Sequence, residues 1–392
     1  MERLMTLDKI YEKIEDGSMT VDDINKMDLS EFKGIDTTHI EDRSAYWNTF
    51  QMALKISINS LYGALANTYF LLFNRDVAAS ITGNGRIFIQ GLATYINEKL
   101  RKVLQTNINF VVYGDTDSVY FSLDELVKKF KEEDNHKILE KLINFDHKYL
   151  DVWTQEYIEK YSDDFNAFNA EPIGAKLEKI ADKGMFVAKK KYALRAVWDE
   201  GSILVDDPYL AVTGLEIVRS STPAFCRKYL KEMVEIILDN NAQTTIKELE
   251  SLEELFHQAP LADIARVSGI GSLDYEGHIG RYTTWKNDKT LTAGMNVRAA
   301  MNFNLFVDQT GLTKYPQILV SDKIKYIFLK KPNILGDDVI AFLDEDFIED
   351  AGLTKYVDRE RMWTDFFIAP MKIMLEAVGY DLDQNFAMEE WI

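Results

Sequence analysis

Two aspartates stand two residues apart in Tyr113-Gly114-Asp115-Thr116-Asp117-Ser118. Carboxylates this close repel one another unless a cation lies between them or water screens them. Hard oxygen donors of this kind suit Mg²⁺, which keeps several waters and substrate phosphates in its shell. The plain alternative is a turn in which Asp and Gly serve only the backbone. The flanks favour the metal. Asn109-Phe110-Val111-Val112-Tyr113 and Val119-Tyr120-Phe121-Ser122-Leu123 are β-branched and aromatic, so they predict a hairpin whose turn projects from the floor of a domain.

A second pattern is Lys55-Ile56-Ser57-Ile58-Asn59-Ser60-Leu61-Tyr62-Gly63. On a helix Lys55, Asn59 and Tyr62 share one stripe, because positions i, i+4 and i+7 lie on one face. Cation, amide and phenol make a poor core face and a good face for a nucleotide, with lysine as a point charge on phosphate oxygens. Gly63 would allow a backbone or base to approach closely. An exposed polar face with a half-buried tyrosine is the equally simple alternative. The third pattern, Lys189-Lys190-Lys191-Tyr192, interrupts a strand-like run. Phosphate contact is one explanation. Protection of an edge strand by lysine is the other, and taken alone it is the simpler.

The elements that must position these residues can be read from period. Leu4, Leu7, Ile10, Tyr11 and Ile14 predict a helix that breaks at Gly17-Ser18, and a short helical piece follows at Val21. A longer helix is expected from about Asp42 to Tyr62, with Gly63 near its end. Residues 75–104 predict an amphipathic helix with Ile87, Leu92, Ile96 and Leu100 inward. Helical segments follow the hairpin to about residue 162, and strand-like stretches return at 185–198 and 203–215. From Thr222 onward the expectation is helix, with glycine-rich interruptions at 269–280. No internal repeat or low-complexity tract is present.

The composition, 46% hydrophobic and 28% charged, is that of a globular chain with room in its 392 residues for two or three cores. No apolar run is long enough to span a membrane, and Met1 to Met5 lacks the form of a secretory signal. One cysteine, Cys226, excludes an internal disulfide framework and a cysteine zinc cluster. A cytosolic protein is expected. The net charge of −19 argues against indiscriminate binding of polyanions. Screening over roughly 8 Å still permits a narrow, salt-sensitive basic groove.

In this order, Lys-x-x-x-Asn-Ser-x-Tyr-Gly, Tyr-Gly-Asp-Thr-Asp-Ser and Lys-Lys-x-Tyr resemble the family B DNA polymerases, especially those of tailed bacteriophages. Gly214 to Pro223 resembles the family's passage from palm to thumb. Asn296-Val297-Arg298-Ala299-Ala300 and Lys330-Lys331-Pro332-Asn333 resemble thumb segments of the phage branch. The resemblance implies an α+β fold: an antiparallel palm sheet with covering helices over 69–221, a mainly helical thumb with tail over 222–392, and a helical fingers segment over 1–68. It implies that Lys55 meets the triphosphate of an incoming deoxynucleotide, with Asn59 on the same fingers helix. Tyr62 and Gly63 would lie under the nascent base pair. Asp117 would be the principal metal ligand, Asp115 a supporting one and Glu178 a nearby palm carboxylate. Lys190, Lys191, Tyr192 and Arg298 would hold primer-template DNA.

The family's other palm aspartate, in a string like Asp-x-x-Ser-Leu-Tyr-Pro-Ser, does not occur in this sequence. Neither the arginine-bearing first fingers helix nor an N-terminal exonuclease domain is recognisable. Two-metal phosphoryl transfer needs carboxylates that clamp both ions, roughly 3.5–4 Å apart. One turn supplies one side of that clamp. The resemblance therefore implies two Mg²⁺ ions shared with an N-terminal partner chain, in a polymerase split within the fingers and working in the cytoplasm of an infected bacterial host. A fragment of a longer protein is the other possibility, and the Met1 start and the tail favour a natural subunit. The tail, with Phe386, Met388, Trp391 and Ile392 as apolar anchors, is expected to dock on a sliding clamp. A module that only holds DNA or a clamp is the rival from another class. A palm-type cyclase is a second rival. The intact aspartate turn and Lys55 helix weigh against the first, and the long C-terminal helical region against the second.

Overall fold

The computed structural model describes residues 38–166, 173–239, 242–271 and 294–380. The clamp anchors Phe386, Met388, Trp391 and Ile392 lie outside the described residues, as do the two helices expected before residue 37. By contacts the chain divides into Met1–Ile87 and Phe88–Ile392.

In the first unit, α1 runs over Thr38–Leu65. It is longer than the sequence predicts at both ends, and Gly63 lies inside it. Tyr46, Trp47, Phe50, Met52, Leu54, Ile56, Ile58 and Leu61 are all exposed on it. Tyr46 and Phe50 stack with centroids 6.4 Å apart, and Trp47 meets both rings edge-on. A helix this apolar around its girth ordinarily lies inside a larger body. Asn74 then accepts the amides of Asp76 and Val77 at 3.1 and 3.0 Å. This is the N-cap that starts α2, Arg75–Leu104. The boundary between the units falls within α2.

In the second unit, Leu92, Ile96, Leu100 and Leu104 of α2 form a stripe at four-residue steps. They pack with Phe110, Leu126, Phe145 and Trp153. Buried Asn97 accepts the Phe110 amide at 2.9 Å and so fixes where the next strand begins. Strands β1, Val111–Asp115, and β2, Ser118–Phe121, form the expected hairpin as a separate two-stranded sheet. Helices α3, Asp124–Phe130, and α4, Asn135–Phe145, follow. A π turn over Asp146–Leu150 leads into α5, Asp151–Asp164.

Asp146 is buried in that π turn. Burial, with some repulsion from Asp151, pushes its carboxyl up to about 6. A folded-state value above the unfolded one means that the penalty is small near pH 4, grows as the pH rises toward 6 and is fully present above that. Asp146→Asn should therefore raise the stability of the unit at pH 7.5 by on the order of 1 kcal/mol, about 2 °C in Tm, and change little at pH 4. Thermal denaturation at the two pH values checks this, and equal shifts at both would contradict it.

The main sheet follows. Strand β4, Lys191–Asp199, pairs antiparallel with β3, Lys179–Ala188, and with β5, Ser202–Ile203, and β6, Tyr209–Thr213. The run expected as one strand over 185–198 is thus a hairpin. Lys189 and Lys190 form its two-residue turn between Ala188 and Lys191, and Lys190 takes a positive φ of 60°.

The C-terminal part is mainly helical among the described residues, and it also holds a sheet that the sequence reading did not foresee. Helices α6, Ala224–Leu238, α7, Ala242–Gln258, and α8, Leu261–Ile264, lead into β7, Arg266–Gly269. Next come α9, Met295–Thr310, then β8, Lys323–Phe328, and β9, Val339–Phe342. The three strands form an antiparallel sheet in the order β7-β8-β9. Short apolar runs such as Val339–Phe342 carry no period that separates strand from helix, which is why the sheet escaped the sequence. Helices α10, Asp346–Asp350, α11, Arg359–Trp363, and α12, Ala369–Ala377, close the core, with a π turn over Thr364–Ile368 between the last two. Buried Asn302 and Asn304 on α9 hold the carbonyls of Val339 and Ile318 at 2.8 and 2.9 Å, which keeps their polar groups satisfied.

Candidate active site

The β1-β2 turn is tight. Asp115 pairs with Ser118 in register, so Thr116 and Asp117 form the tip. The Asp117 amide donates to the Asp115 carbonyl at 2.5 Å, and the Thr116 hydroxyl donates to the Asp115 carboxylate at 3.0 Å. Thr116 takes a φ of 46°, a conformation that β-branched residues rarely adopt. Such strain gathers where a turn must aim particular groups. Here it aims two carboxylates off the end of a hairpin.

The two carboxylates have different surroundings. Asp117 is exposed and makes no side-chain hydrogen bond or ion pair among the described residues. Asp115 is only 19% exposed, and both its oxygens accept from the Lys190 ammonium at 2.8 Å. The hydrogen bond from Lys190 is the first cause that holds the Asp115 carboxyl below the usual carboxylate range. In return Asp115 raises the Lys190 value. The carboxylate turn of one hairpin and the lysine turn of another thus form one ionic unit.

A set of aromatic rings joins the two hairpins. Tyr113, Tyr120, Phe186 and Tyr192 stand with all six pairs of centroids between 5.1 and 5.7 Å apart. Packed aromatic pairs at such distances contribute about 0.5–1.5 kcal/mol each beyond burial. The Tyr120 and Tyr192 hydroxyls share a hydrogen bond of 2.9 Å. Burial first, and then that bond, raises the Tyr120 phenol well above its ordinary value. The Tyr113 hydroxyl accepts the Lys190 amide at 2.7 Å. Gly214, at φ 66°, passes so close that an added Cβ would sit 1.8 Å from the Lys190 carbonyl oxygen.

The other candidates fall in several places. Lys191 is half-buried and lines a cavity of about 220 Å³ with Glu216, Ile217, Arg266 and Phe366. Neither Lys189 nor Lys191 makes an ion pair among the described residues. Glu178 is exposed just ahead of β3, and its carbonyl accepts the Glu200 amide at 3.0 Å. Arg298 is turned into its own fold: it ion-pairs with Asp338 and lies 3.6 Å from Asp337. Asp338 is shared with Arg361 and Lys331, so Arg298 belongs to a mixed ionic cluster. In the first unit Lys55, Asn59 and Tyr62 are all exposed along α1, and Gly63 has open space where a Cβ would be. Ser57 and Ser60 bond back to the carbonyls of Ala53 and Ile56 at 2.8 and 2.6 Å, so the stripe's polar chemistry rests with its longer side chains.

Tyr113 and Gly214 are the residues whose roles sequence reasoning missed. Both stand inside motifs that were singled out, but their task is to hold another residue's backbone, and no spacing rule reports that. Among the described residues, two other groups could hold a metal ion: Asp146, His147 and Asp151, and Glu253, His257 and Glu360. The first sets an exposed His147–Asp151 pair, 3.1 Å apart, beside the buried Asp146.

The Asp115-Asp117 turn fits a hard divalent cation in part. Asp117 is an unpaired oxygen donor free to bind, whereas Asp115 already has a cation in Lys190.

Residues 32–145 match the family described as DNA polymerase family B. Most of the chain is also similar to particular polymerases. The DNA-directed DNA polymerase of Enterobacteria phage T4 is 28% identical over 365 residues, which cover 87% of this chain and 38% of that protein. The DNA-directed DNA polymerase of Escherichia phage RB69 is 28% identical over 368 residues, covering 86% and 38%. A DNA polymerase of Archaeoglobus fulgidus is 26% identical over 302 residues, covering 76% and 30%. The chain thus spans 38% of the length of the two phage relatives. No described helix is long and apolar enough to cross a membrane.

Proposed function

We propose that this chain is the C-terminal part of a family B DNA-directed DNA polymerase of the phage type. In this reading it carries the end of the fingers over 1–68, the rest of the palm over 69–221 and the thumb with its tail over 222–392. One observation carries the proposal: the Asp115-Thr116-Asp117 turn is locked to the lysine turn of the main sheet within a chain similar to polymerases over most of its length. The reaction is attack of a primer 3′-hydroxyl on the α-phosphate of a deoxynucleoside triphosphate, with pyrophosphate leaving. Mg²⁺, when bound, lowers the cost of forming the attacking alkoxide and neutralises charge on the phosphates.

The residues of the chain divide the remaining work. Asp117 supplies the carboxylate that would hold the cation, with Glu178 as an accessory group. Lys55 meets the triphosphate and adds positive charge where negative charge develops on the leaving group. Asn59, Tyr62 and Gly63 line the nucleotide and the new base pair. Lys191 and Tyr192, with Lys190 in the same hairpin, face the primer-template.

The missing palm aspartate has to come from a second polypeptide or from a longer form of this one. The apolar surface of α1 is in keeping with that requirement, since among the described residues Tyr46, Trp47 and Phe50 are exposed. We place the enzyme in the cytoplasm of the infected bacterial host, with a sliding clamp docked on the tail at Phe386, Met388, Trp391 and Ile392.

Two lysines test the division of labour. In the enzyme completed with its N-terminal part, Lys55→Ala should weaken nucleotide incorporation and leave primer-template affinity nearly unchanged. Lys191→Ala should instead weaken primer-template binding and flatten its salt dependence by about one phosphate's worth. Single-turnover incorporation and fluorescence anisotropy at several salt concentrations separate the two. If both variants moved the same parameter, the assignment of two sites would be wrong.

A further inference from the structure

We propose that Lys190 is a built-in counter-cation that withholds Asp115 from metal binding, and that the Tyr113 hydroxyl is the positioning group that keeps it there. The inference deepens the function proposed above and rests on it. It divides two aspartates that the sequence presents as a pair.

Lys190 is fixed at three points. Its amide donates to the Tyr113 hydroxyl at 2.7 Å. Its carbonyl lies against Gly214, where no side chain could fit. Its ammonium reaches both oxygens of Asp115 at 2.8 Å. The residue takes a φ of 60°, as its place in the two-residue hairpin turn requires. A lysine that merely covered a sheet edge would need none of these restraints. The consequence is electrostatic. With Lys190 in place, the turn offers a divalent ion one free carboxylate, Asp117, and a nearby positive charge that opposes binding.

Such a turn binds metal weakly alone and waits for a second carboxylate. That suits a chain whose other palm aspartate must come from elsewhere. Removing the lysine should turn the hairpin tip into a two-carboxylate site of its own. Removing only the Tyr113 hydroxyl should loosen the lysine and move the site part of the way, while the ring stays in the aromatic set.

The test is a titration of the full chain with Mn²⁺ alone, with free ion read by electron paramagnetic resonance and no catalysis involved. Asp117→Asn identifies the share of binding that belongs to the turn. Lys190→Met should tighten that share about tenfold, as expected for removing one like charge at contact distance near a protein surface. Tyr113→Phe should give a smaller tightening in the same direction, and adding it to Lys190→Met should change nothing further. Asp115→Asn on the Lys190→Met background should return the affinity to its starting value. If Asp117→Asn removed no Mn²⁺ binding, the metal assignment of the turn would fail, and the inference with it. If Asp117→Asn removed binding but Lys190→Met left it unchanged or weaker, the counter-cation role alone would be overturned. If Tyr113→Phe acted equally with and without Lys190, the positioning role would be overturned.

Discussion

Replacing Asp117 with alanine is expected to abolish primer extension by the completed enzyme while leaving primer-template binding close to normal. Asp117 is the turn's unpaired carboxylate: it is exposed and without a side-chain partner among the described residues, whereas Asp115 is occupied by Lys190. A group that acts on the reacting atoms appears in the rate of the chemical step rather than in ground-state affinity. The loss of one such electrostatic element costs on the order of 10²–10³ or more in rate. Structural damage should be slight, because the side chain supports no contact that the hairpin needs. The turn is held instead by the Asp117 amide on the Asp115 carbonyl and by the aromatic set beneath it. Single-turnover incorporation and anisotropy on the same preparations decide the matter. A variant with near-normal single-turnover rates would refute the assignment, and one that lost DNA binding in proportion to rate would make Asp117 a structural residue.

Much of the frame that carries this turn can be read from the residues. The helix expected over 75–104 forms as α2, Arg75–Leu104, because Leu92, Ile96 and Leu100 repeat at helical steps with a capping asparagine just ahead, although Ile87, expected inward with them, is exposed. The β1-β2 hairpin forms because two β-branched and aromatic runs flank a turn sequence. Where the sequence misleads, the cause is local ambiguity or long range. Lys189-Lys190 reads as strand interior because apolar residues stand on both sides. In the fold those flanks are two paired strands, with Phe186 opposite Tyr192. Arg298 stands in a motif that resembles a DNA-contacting segment, yet it pairs with Asp338, forty positions away in the chain. A partner that distant leaves no trace in spacing.

The candidate site divides in the same manner. The residues proposed to act through their own side chains, Asp117 and Lys55, stand out by type and interval. Tyr113 and Gly214 act by holding the backbone of Lys190, and only a three-dimensional arrangement reveals them. The Lys190–Asp115 pair is of the same sort. It joins residues seventy-five positions apart, and neither motif's spacing reports it.

The largest expected effect concerns completeness. The chain spans 38% of the phage polymerases it resembles, and in the proposed function Asp117 makes one side of a two-metal clamp. In the proposed function a carboxylate for the second ion comes from elsewhere, and two-metal nucleotidyl transfer needs both ions. Among the described residues, Trp47, Phe50 and their apolar neighbours on α1 are exposed. The most direct measurement is primer extension with a labelled primer-template, Mg²⁺ and all four deoxynucleotides. It should be run with this purified chain alone, with the complementary N-terminal polymerase polypeptide alone, and with the two mixed. The account predicts no extension by either polypeptide alone and robust extension by the mixture, lost again when the chain carries Asp117→Ala. Robust extension by the purified chain alone would contradict it.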